Sequence, residues 1–301
     1  MYCNADCIDL LIEELLTVLE QISPLFEIIL VDDGSPDDVW FHIMKKAAHD
    51  ARLRGIRFTR NFGQHLAITA GIDYCRGEWV VVMDGDFQDL PGAIPALFAK
   101  AQSGFDVVFA RRRHRKDSSF KRRSSAWFYR LFNYLADSDM DPAVANFGIY
   151  SRRVIEQFRT MRERSRLFPL FIRWLGFRTA FVDVEHGKRG AGKTAYTLRK
   201  RLRLGLDTIL SMSNKPLKLA VKTGFIIAFL AFVFGIVEIV RYLVWGIPVA
   251  GWTSMIVSLY FIGGLLLAML GILGLYIGRM YDEVKKRPLY VVAEVTAAPR
   301  T

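Results

Sequence analysis

Two short acidic segments hold the residue types that could do chemistry. "VDDGSPDD" spans 31–38, and "MDGDFQD" spans 83–89, each directly after an apolar run. In the second, Asp84 and Asp86 are two apart, with Gln88 and Asp89 just beyond. Carboxylate and amide oxygens are hard ligands of the kind Mg²⁺ and Mn²⁺ favour, and such ions usually keep substrate phosphates in their shell. A cation held there could grip a diphosphate. The same residues also suit a polar loop that caps a buried strand, and spacing alone does not separate the two readings.

Charge supports an anionic partner. The 301 residues include 41 Lys and Arg against 30 Asp and Glu, a formal net charge of +11. Nucleic acid, lipid headgroups and phosphorylated substrates all fit such a balance. Three cysteines, Cys3, Cys7 and Cys75, offer no disulfide framework and no metal set, and read as structural or incidental.

The elements that would position the acids alternate. Residues 8–22 repeat apolar side chains at helical spacing, and 26–35 is an Ile- and Val-rich run stopped by Asp-Asp-Gly-Ser. Helical patterns recur at 36–50 and 63–77, the latter closed by Gly77. Strand patterns recur in "GIRFTRN" at 55–61, at 78–84 and at 105–112. Helices alternating with short buried strands predict an α/β domain with a mostly parallel sheet, where ligands bind at the carboxyl ends of strands. Both acidic segments lie at such ends.

Two stretches, 223–240 and 253–278, are apolar enough to cross a bilayer, with Glu238 their single charge. Lys215, Lys218 and Lys222 precede the first. Arg279, Lys285, Lys286 and Arg287 follow the second, whereas the loop between holds only Arg241. The positive-inside rule places both flanks in the cytosol. The competing reading is a pair of buried core helices. Two basic stretches accompany the spans. "RRRHRKDSSFKRR" at 111–123 reads either as a solvated loop or as a surface attracting anionic headgroups. "LRKRLRLGLDTILSMSNKP" at 198–216 reads as an interfacial amphipathic helix.

Taken together, "VDDGSPDD", "RNFGQHLAITAGIDYCRGEWVVVMDGDFQDLP", "RGAGKTAY" at 189–196, the two spans and "GLYIGRMYDEVKKRPLYVV" at 274–292 resemble the polyprenyl-phosphate glycosyltransferases of the GT-A, family-2 type. These include dolichyl-phosphate mannose synthases and bacterial enzymes acting on undecaprenyl phosphate. The resemblance covers nearly the whole chain. It implies a GT-A, Rossmann-like catalytic domain over 1–196, an interfacial helix over 197–216, a transmembrane hairpin over 217–280 and a cytosolic tail over 281–301. It implies an inverting transfer of one sugar from a nucleotide-diphosphate sugar to a polyprenyl phosphate, undecaprenyl phosphate in particular. The expected cofactor is Mg²⁺ or Mn²⁺, and the expected partners are the two substrates and membrane lipids, with no nucleic acid and with a homo-oligomer left open. The expected location is the inner (plasma) membrane, multi-pass, with the catalytic domain in the cytosol.

Residue by residue, the resemblance implies that Asp32 meets the nucleotide base and Asp33 shapes the turn. It puts Asp84 near the ribose and diphosphate, and Asp86 and Gln88 on the metal. Arg189 and Thr194 match a loop that closes over the phosphates, with Thr194 in place of the usual Ser and Ala195 in place of a common Lys. Arg122 and Ser125 fall where the family contacts the acceptor phosphate. Asp86, Arg189 and Asn146 make up the implied catalytic set. Asn146 departs from an acid frequent at that position. A lipid monophosphate is largely dianionic at neutral pH, its second pKa being near 6, so an attacking phosphate needs no base. Asn146 then reads as a hydrogen-bonding group. The family also begins with an apolar strand before the turn at "MYCNAD", and such a strand is expected upstream of Met1.

Three other readings compete. A processive polysaccharide synthase would usually carry Gln-x-x-Arg-Trp, whereas "LFIRW" at 170–174 has Leu170 at the Gln position. A catalytically inactive truncated homologue is the second. A basic nucleic-acid-binding membrane protein is the third, and it leaves both acidic segments unexplained.

Overall fold

The computed structural model describes residues 1–3, 5–112, 130–136, 144–164, 166–185, 205, 209–210, 213–245 and 251–296. They fall into two compact units: 1–129 with 139–201 and 287–301, and 130–138 with 202–286.

The first unit is built of helices on mixed sheets. Helix α1 (Ala5–Glu20) leads into strand β1 (Ile28–Asp32), α2 (Val39–Ala47), β2 (Leu53–Phe58), α3 (Gln64–Tyr74) and β3 (Trp79–Val82). Then come α4 (Ile94–Gln102), β4 (Val107–Arg112), β5 (Val144–Ser151), α5 (Arg152–Thr160), α6 (Phe168–Trp174) and β6 (Thr179–Val184). One further strand, β7 (Val292–Val295), lies in the last residues described.

Successive side chains of a strand face opposite ways, and β1 uses both faces. Ile28 and Leu30 join a core with Ile8, Leu11 and Ile12 of α1 and Val39, Trp40 and Ile43 of α2. Val31 turns the other way, with Ile56 and Phe58, onto Ala67 and Ala70 of α3. Burial on both faces explains why β1 is a continuous apolar run.

The four strands expected from sequence are β1 to β4, and the helical patterns are α1 to α3. Helix α3 ends at Tyr74, ahead of Gly77, where Cys75 turns extended (φ −73°, ψ 148°). The α/β class stands, and the pairings inside it are mixed. β1 pairs with β2, and β4 with β6, in parallel; β2–β7, β3–β5 and β4–β5 are antiparallel. Strand β5 makes the difference, because it lies between β3 and β4 and runs against both. At its centre only a glycine fits: a Cβ on Gly148 would stand 2.8 Å from the Val108 carbonyl oxygen.

Within 281–301, read from sequence as a tail, the part from Arg287 onward falls in the first unit and contains β7. Glycine again permits the contact. A Cβ on Gly55 would stand 2.9 Å from Thr296 Cγ2 and 2.4 Å from Ile43 Cγ2. Unpaired backbone groups along the outer side of β2 find partners in this strand.

The second unit contains two long helices, α7 (Lys215–Trp245) and α8 (Trp252–Val284). Their most apolar stretches, Lys215–Val237 and Val257–Val284, have mean hydropathies of 2.3 and 2.2, and neither is buried inside the protein. Phe225, Phe229, Phe232 and Leu267 are each more than 60% exposed. Helices of a soluble core would hide such side chains, so the buried-core reading fails. Within the unit, Tyr276 donates its hydroxyl proton to the Ser213 carbonyl at 2.8 Å, and Gly224 faces Met269 across the helix pair.

Candidate active site

The first acidic turn is held by its own carboxylates. Gly34 takes φ +65°, and a Cβ there would lie 2.5 Å from the Arg60 carbonyl carbon, so turn and loop touch backbone to backbone. Asp33 then binds the next loop. Its Oδ1 accepts the Phe62 N–H at 2.7 Å and its Oδ2 the Gly63 N–H at 2.9 Å. Burial pushes the Asp33 carboxyl up, and these two amides pull it back. Gly63, at φ +103°, starts α3. Asp33 therefore sets where α3 begins, and with it where Gln64 points.

Asp32 is fully buried. Its Oδ1 accepts the Ser35 N–H at 2.9 Å, and Arg57 Nε stands 3.4 Å from Oδ2. Among the described residues Asp32 Oδ2 accepts no hydrogen bond. Met1 runs alongside this turn: its ammonium donates to the Val31 carbonyl at 2.6 Å, and the Asp33 N–H donates to the Met1 carbonyl at 2.9 Å. Burial lowers the pKa of that ammonium.

The second acidic segment leaves β3 in a tight loop. Gln64 Nε2 donates to Asp84 Oδ1 at 2.6 Å, and the Asn146 side chain hydrogen-bonds the same carboxylate. Burial pushes the Asp84 carboxyl up. The Gln64 and Asn146 hydrogen bonds oppose that shift, while the neighbouring charge of Asp86 adds to it. Asp86 Oδ1 accepts the Gln88 N–H at 3.2 Å. Between them Phe87 sits at φ +62°, a left-handed conformation that is costly for an aromatic residue. Its ring packs against the main core, which holds the loop there. Asp89 is buried, and its Oδ2 accepts the Asp84 N–H at 3.3 Å, so it ties the loop to itself.

This arrangement fits a small divalent cation. Two like charges, one of them already raised in pKa, are relieved by a cation between or beside them. Among the described residues no group of three or more His, Cys, Asp or Glu side chains is gathered for a metal. Mg²⁺ and Mn²⁺ bind through one or two carboxylates and leave positions for substrate phosphates. Asp86 and Gln88 sit on the same loop, with Asp84 as the acid coupled to Asp86.

The structure therefore brings Asp84, Asp86, Gln88 and Asn146 to one strand end and Asp32 to another in the same unit. Arg122, Ser125, Arg189 and Thr194 lie outside the described residues, as does most of 197–216. Of the basic run, Arg111 is paired with Asp183 at 2.7 Å. The "LFIRW" segment falls in α6, where Leu170, Phe171 and Ile172 are buried as packing. No disulfide joins Cys3, Cys7 and Cys75; Cys7 Sγ lies 3.6 Å from the Gly85 carbonyl.

Sequence reading missed Gln64, whose role depends on the loop clamp set by Asp33, a contact 31 positions away from it in the chain. It also missed His65. This imidazole accepts the Phe168 N–H on Nδ1 at 3.4 Å, which leaves its proton on Nε2. Desolvation, with the positive charge of Arg166, lowers its pKa to about 4.

Known proteins match this chain along most of its length. Among curated relatives, an uncharacterized glycosyltransferase, YkcC, of Bacillus subtilis (strain 168) is 36% identical over 281 residues, covering 93% of this chain and 87% of that one. A bactoprenol glucosyl transferase of Shigella phage SfII is 37% identical over 267 residues, covering 88% and 86%. That of Shigella phage SfX is 36% identical over 275 residues, covering 91% and 90%. A crystal structure of mannosyl-3-phosphoglycerate synthase from Rubrobacter xylanophilus matches with a TM-score of 0.50 over 69% of both chains at 17% identity, a likeness of fold alone. The family model described as Glycosyl transferase family 2 matches residues 2–159, and the chain belongs to that family.

Proposed function

We propose that this glycosyltransferase moves one sugar from a nucleotide-diphosphate sugar to a polyprenyl phosphate at the cytosolic leaflet. The observation that carries the reading is the Asp84–Asp86–Asn146 constellation at the end of β3, in a chain of which 88% is matched by a bactoprenol glucosyl transferase relative.

Each residue has a role in this proposal. Asp32 receives the nucleobase, and Asp84, oriented by Gln64 and Asn146, faces the ribose and diphosphate. Asp86 and Gln88 would hold Mg²⁺ or Mn²⁺, which when bound neutralises charge on the departing diphosphate. Arg189 and Thr194 close over the phosphates, and Arg122 and Ser125 meet the acceptor; these four assignments rest on motif likeness. The lipid phosphate arrives dianionic, so Asn146 positions and does not deprotonate.

Connectivity supports the orientation. The chain leaves the catalytic unit before α7 and re-enters it at β7 after α8. Two crossings return it to the face it left, the face the basic flanks mark as cytosolic.

The test is transfer of labelled sugar from a panel of nucleotide sugars to undecaprenyl phosphate by membranes containing the protein. Label should enter an organic-extractable product bearing a single sugar. Asp86→Asn and excess EDTA should each lower the rate at least a hundredfold, about the contribution of one strong charge-stabilising group. Polymeric product, or full turnover by the Asp86→Asn variant, sinks the reading.

A further inference from the structure

Strand β7 follows the second membrane helix in the chain, yet its one acid enters the network around Asp32. Trp40 Nε1 donates to Glu294 Oε2 at 3.1 Å, and Arg57 Nη1 approaches Glu294 Oε1 at 3.5 Å. The same guanidinium presents Nε to Asp32 Oδ2 at 3.4 Å. Both contacts are longer than a good hydrogen bond. Arg57 thus stands between two carboxylates and closes on neither.

Glu294 itself is held firmly. The Thr59 N–H donates to the Val291 carbonyl at 3.1 Å, and the Thr296 N–H to the Gly55 carbonyl at 3.0 Å. Gly55 N–H donates in turn to Thr296 Oγ1 at 2.9 Å. Before the strand, Tyr290 stacks on Phe58 with ring centres 5.0 Å apart, and its hydroxyl donates to Asp73 Oδ2 at 2.7 Å. The strand that carries Glu294 is therefore fixed against β2, and Trp40 anchors its carboxylate at Oε2.

We infer that Glu294 is a positioning residue for the donor-nucleotide subsite. Its approach to Nη1 keeps the planar fork from closing on Asp32, so that Oδ2 is not locked into an Arg–carboxylate pair and can be given up to a nucleobase N–H. A bidentate Arg–carboxylate pair would consume the acceptor positions that the base needs. Asp32 Oδ2 is buried under Arg57, so an entering base displaces the guanidinium, and Glu294 is the acid that receives it. The inference rests on the reading of Asp32 as the base-contacting acid. The competing account makes Glu294 a charge that merely blunts a sheet edge; that account gives Arg57 no part.

The two are separated by calorimetric binding of uridine, guanosine and thymidine diphosphates to the full-length protein in detergent micelles. The tightest nucleotide is then measured on variants. Asp32→Asn should weaken it. Glu294→Gln should weaken it about tenfold, the worth of one hydrogen bond to a charged group, with the melting temperature unchanged, since glutamine still accepts from Trp40. Adding Arg57→Gln to Glu294→Gln should restore binding to within about twofold of wild type, because no fork remains to close on Asp32. If no diphosphate binds, or Asp32→Asn has no effect, the base-contact reading fails and takes the inference with it. If Asp32→Asn weakens binding but Glu294→Gln does not, or the double variant stays as weak as Glu294→Gln, the inference alone is overturned.

Discussion

At the scale of single residues, the site is organised by what binds Asp84. Two neutral amides, Gln64 and Asn146, hydrogen-bond a carboxylate that already feels Asp86. An acid at 146 would remove a donor and add a third negative charge. Asn146→Asp should therefore lower turnover about tenfold, the cost of losing a hydrogen bond to a charged group. A rate gain with a new acidic limb in the pH profile would show that the position can serve as a base. His65 gives a second residue-scale expectation. Its folded pKa of about 4 lies below its ordinary value of 6.5, so the unfolded chain takes up a proton first as pH falls. The stability it contributes is present above pH 6.5 and is lost as pH drops towards 4, with a ceiling of roughly 3 kcal/mol. His65→Asn keeps an acceptor for the Phe168 N–H and does not titrate. Denaturation midpoints measured between pH 7 and 4 should fall less steeply for this variant; parallel slopes would refute the assignment.

At the scale of elements, loops place the chemistry and strands hold the loops. The clamp from Asp33 to the Phe62 and Gly63 amides works only because the 33–35 turn lies against Arg60. Gly34→Ala would force a Cβ into backbone at 2.5 Å in a left-handed conformation. It should cost roughly 3 kcal/mol from strain and overpacking together, and should lower donor affinity as Gln64 moves off Asp84. Gly63→Ala meets no atom within 4 Å, but φ +103° with ψ 152° is a conformation essentially restricted to glycine. It should cost about 2 kcal/mol, from backbone strain alone. Chemical denaturation of the two variants checks the order: equal losses would mean that close approach to Arg60 is not what requires Gly34.

At the scale of the whole chain, a catalytic unit is interrupted by two long apolar helices, α7 and α8. Each apolar stretch is long enough for a bilayer: the 23 residues of Lys215–Val237 rise about 35 Å as a helix, against a hydrocarbon core of about 30 Å. Reporter fusions after Trp245 and after Thr301 should accordingly lie on opposite sides of the membrane. Signals on the same side would rule out the two-crossing arrangement. Because β7 closes the sheet edge, truncation after α8 should also destabilise the catalytic unit, as a loop-like tail would not.

Much of this was legible in the sequence. Strands β1 to β4 stand out because each is a short apolar run cut off by turn-forming residues, and the two long apolar helices because 223–240 and 253–278 carry a single charge over bilayer length. The acids at the ends of β1 and β3 were visible for the same reason, since a buried run that stops at Asp announces a strand end. Strands β5 and β7 were not legible. "VANFGIYS" holds Asn146 and Gly148, and "VAEV" has only four residues; each is a strand because neighbours distant in the chain leave a slot for it. Gln64, Arg57 and Glu294 escaped for a related cause. A polar side chain acquires a role from the atoms it meets, and those meetings span 20 positions for Gln64 with Asp84 and 237 for Arg57 with Glu294. Local periodicity records which face is buried, whereas only the folded backbone decides which polar groups share a site.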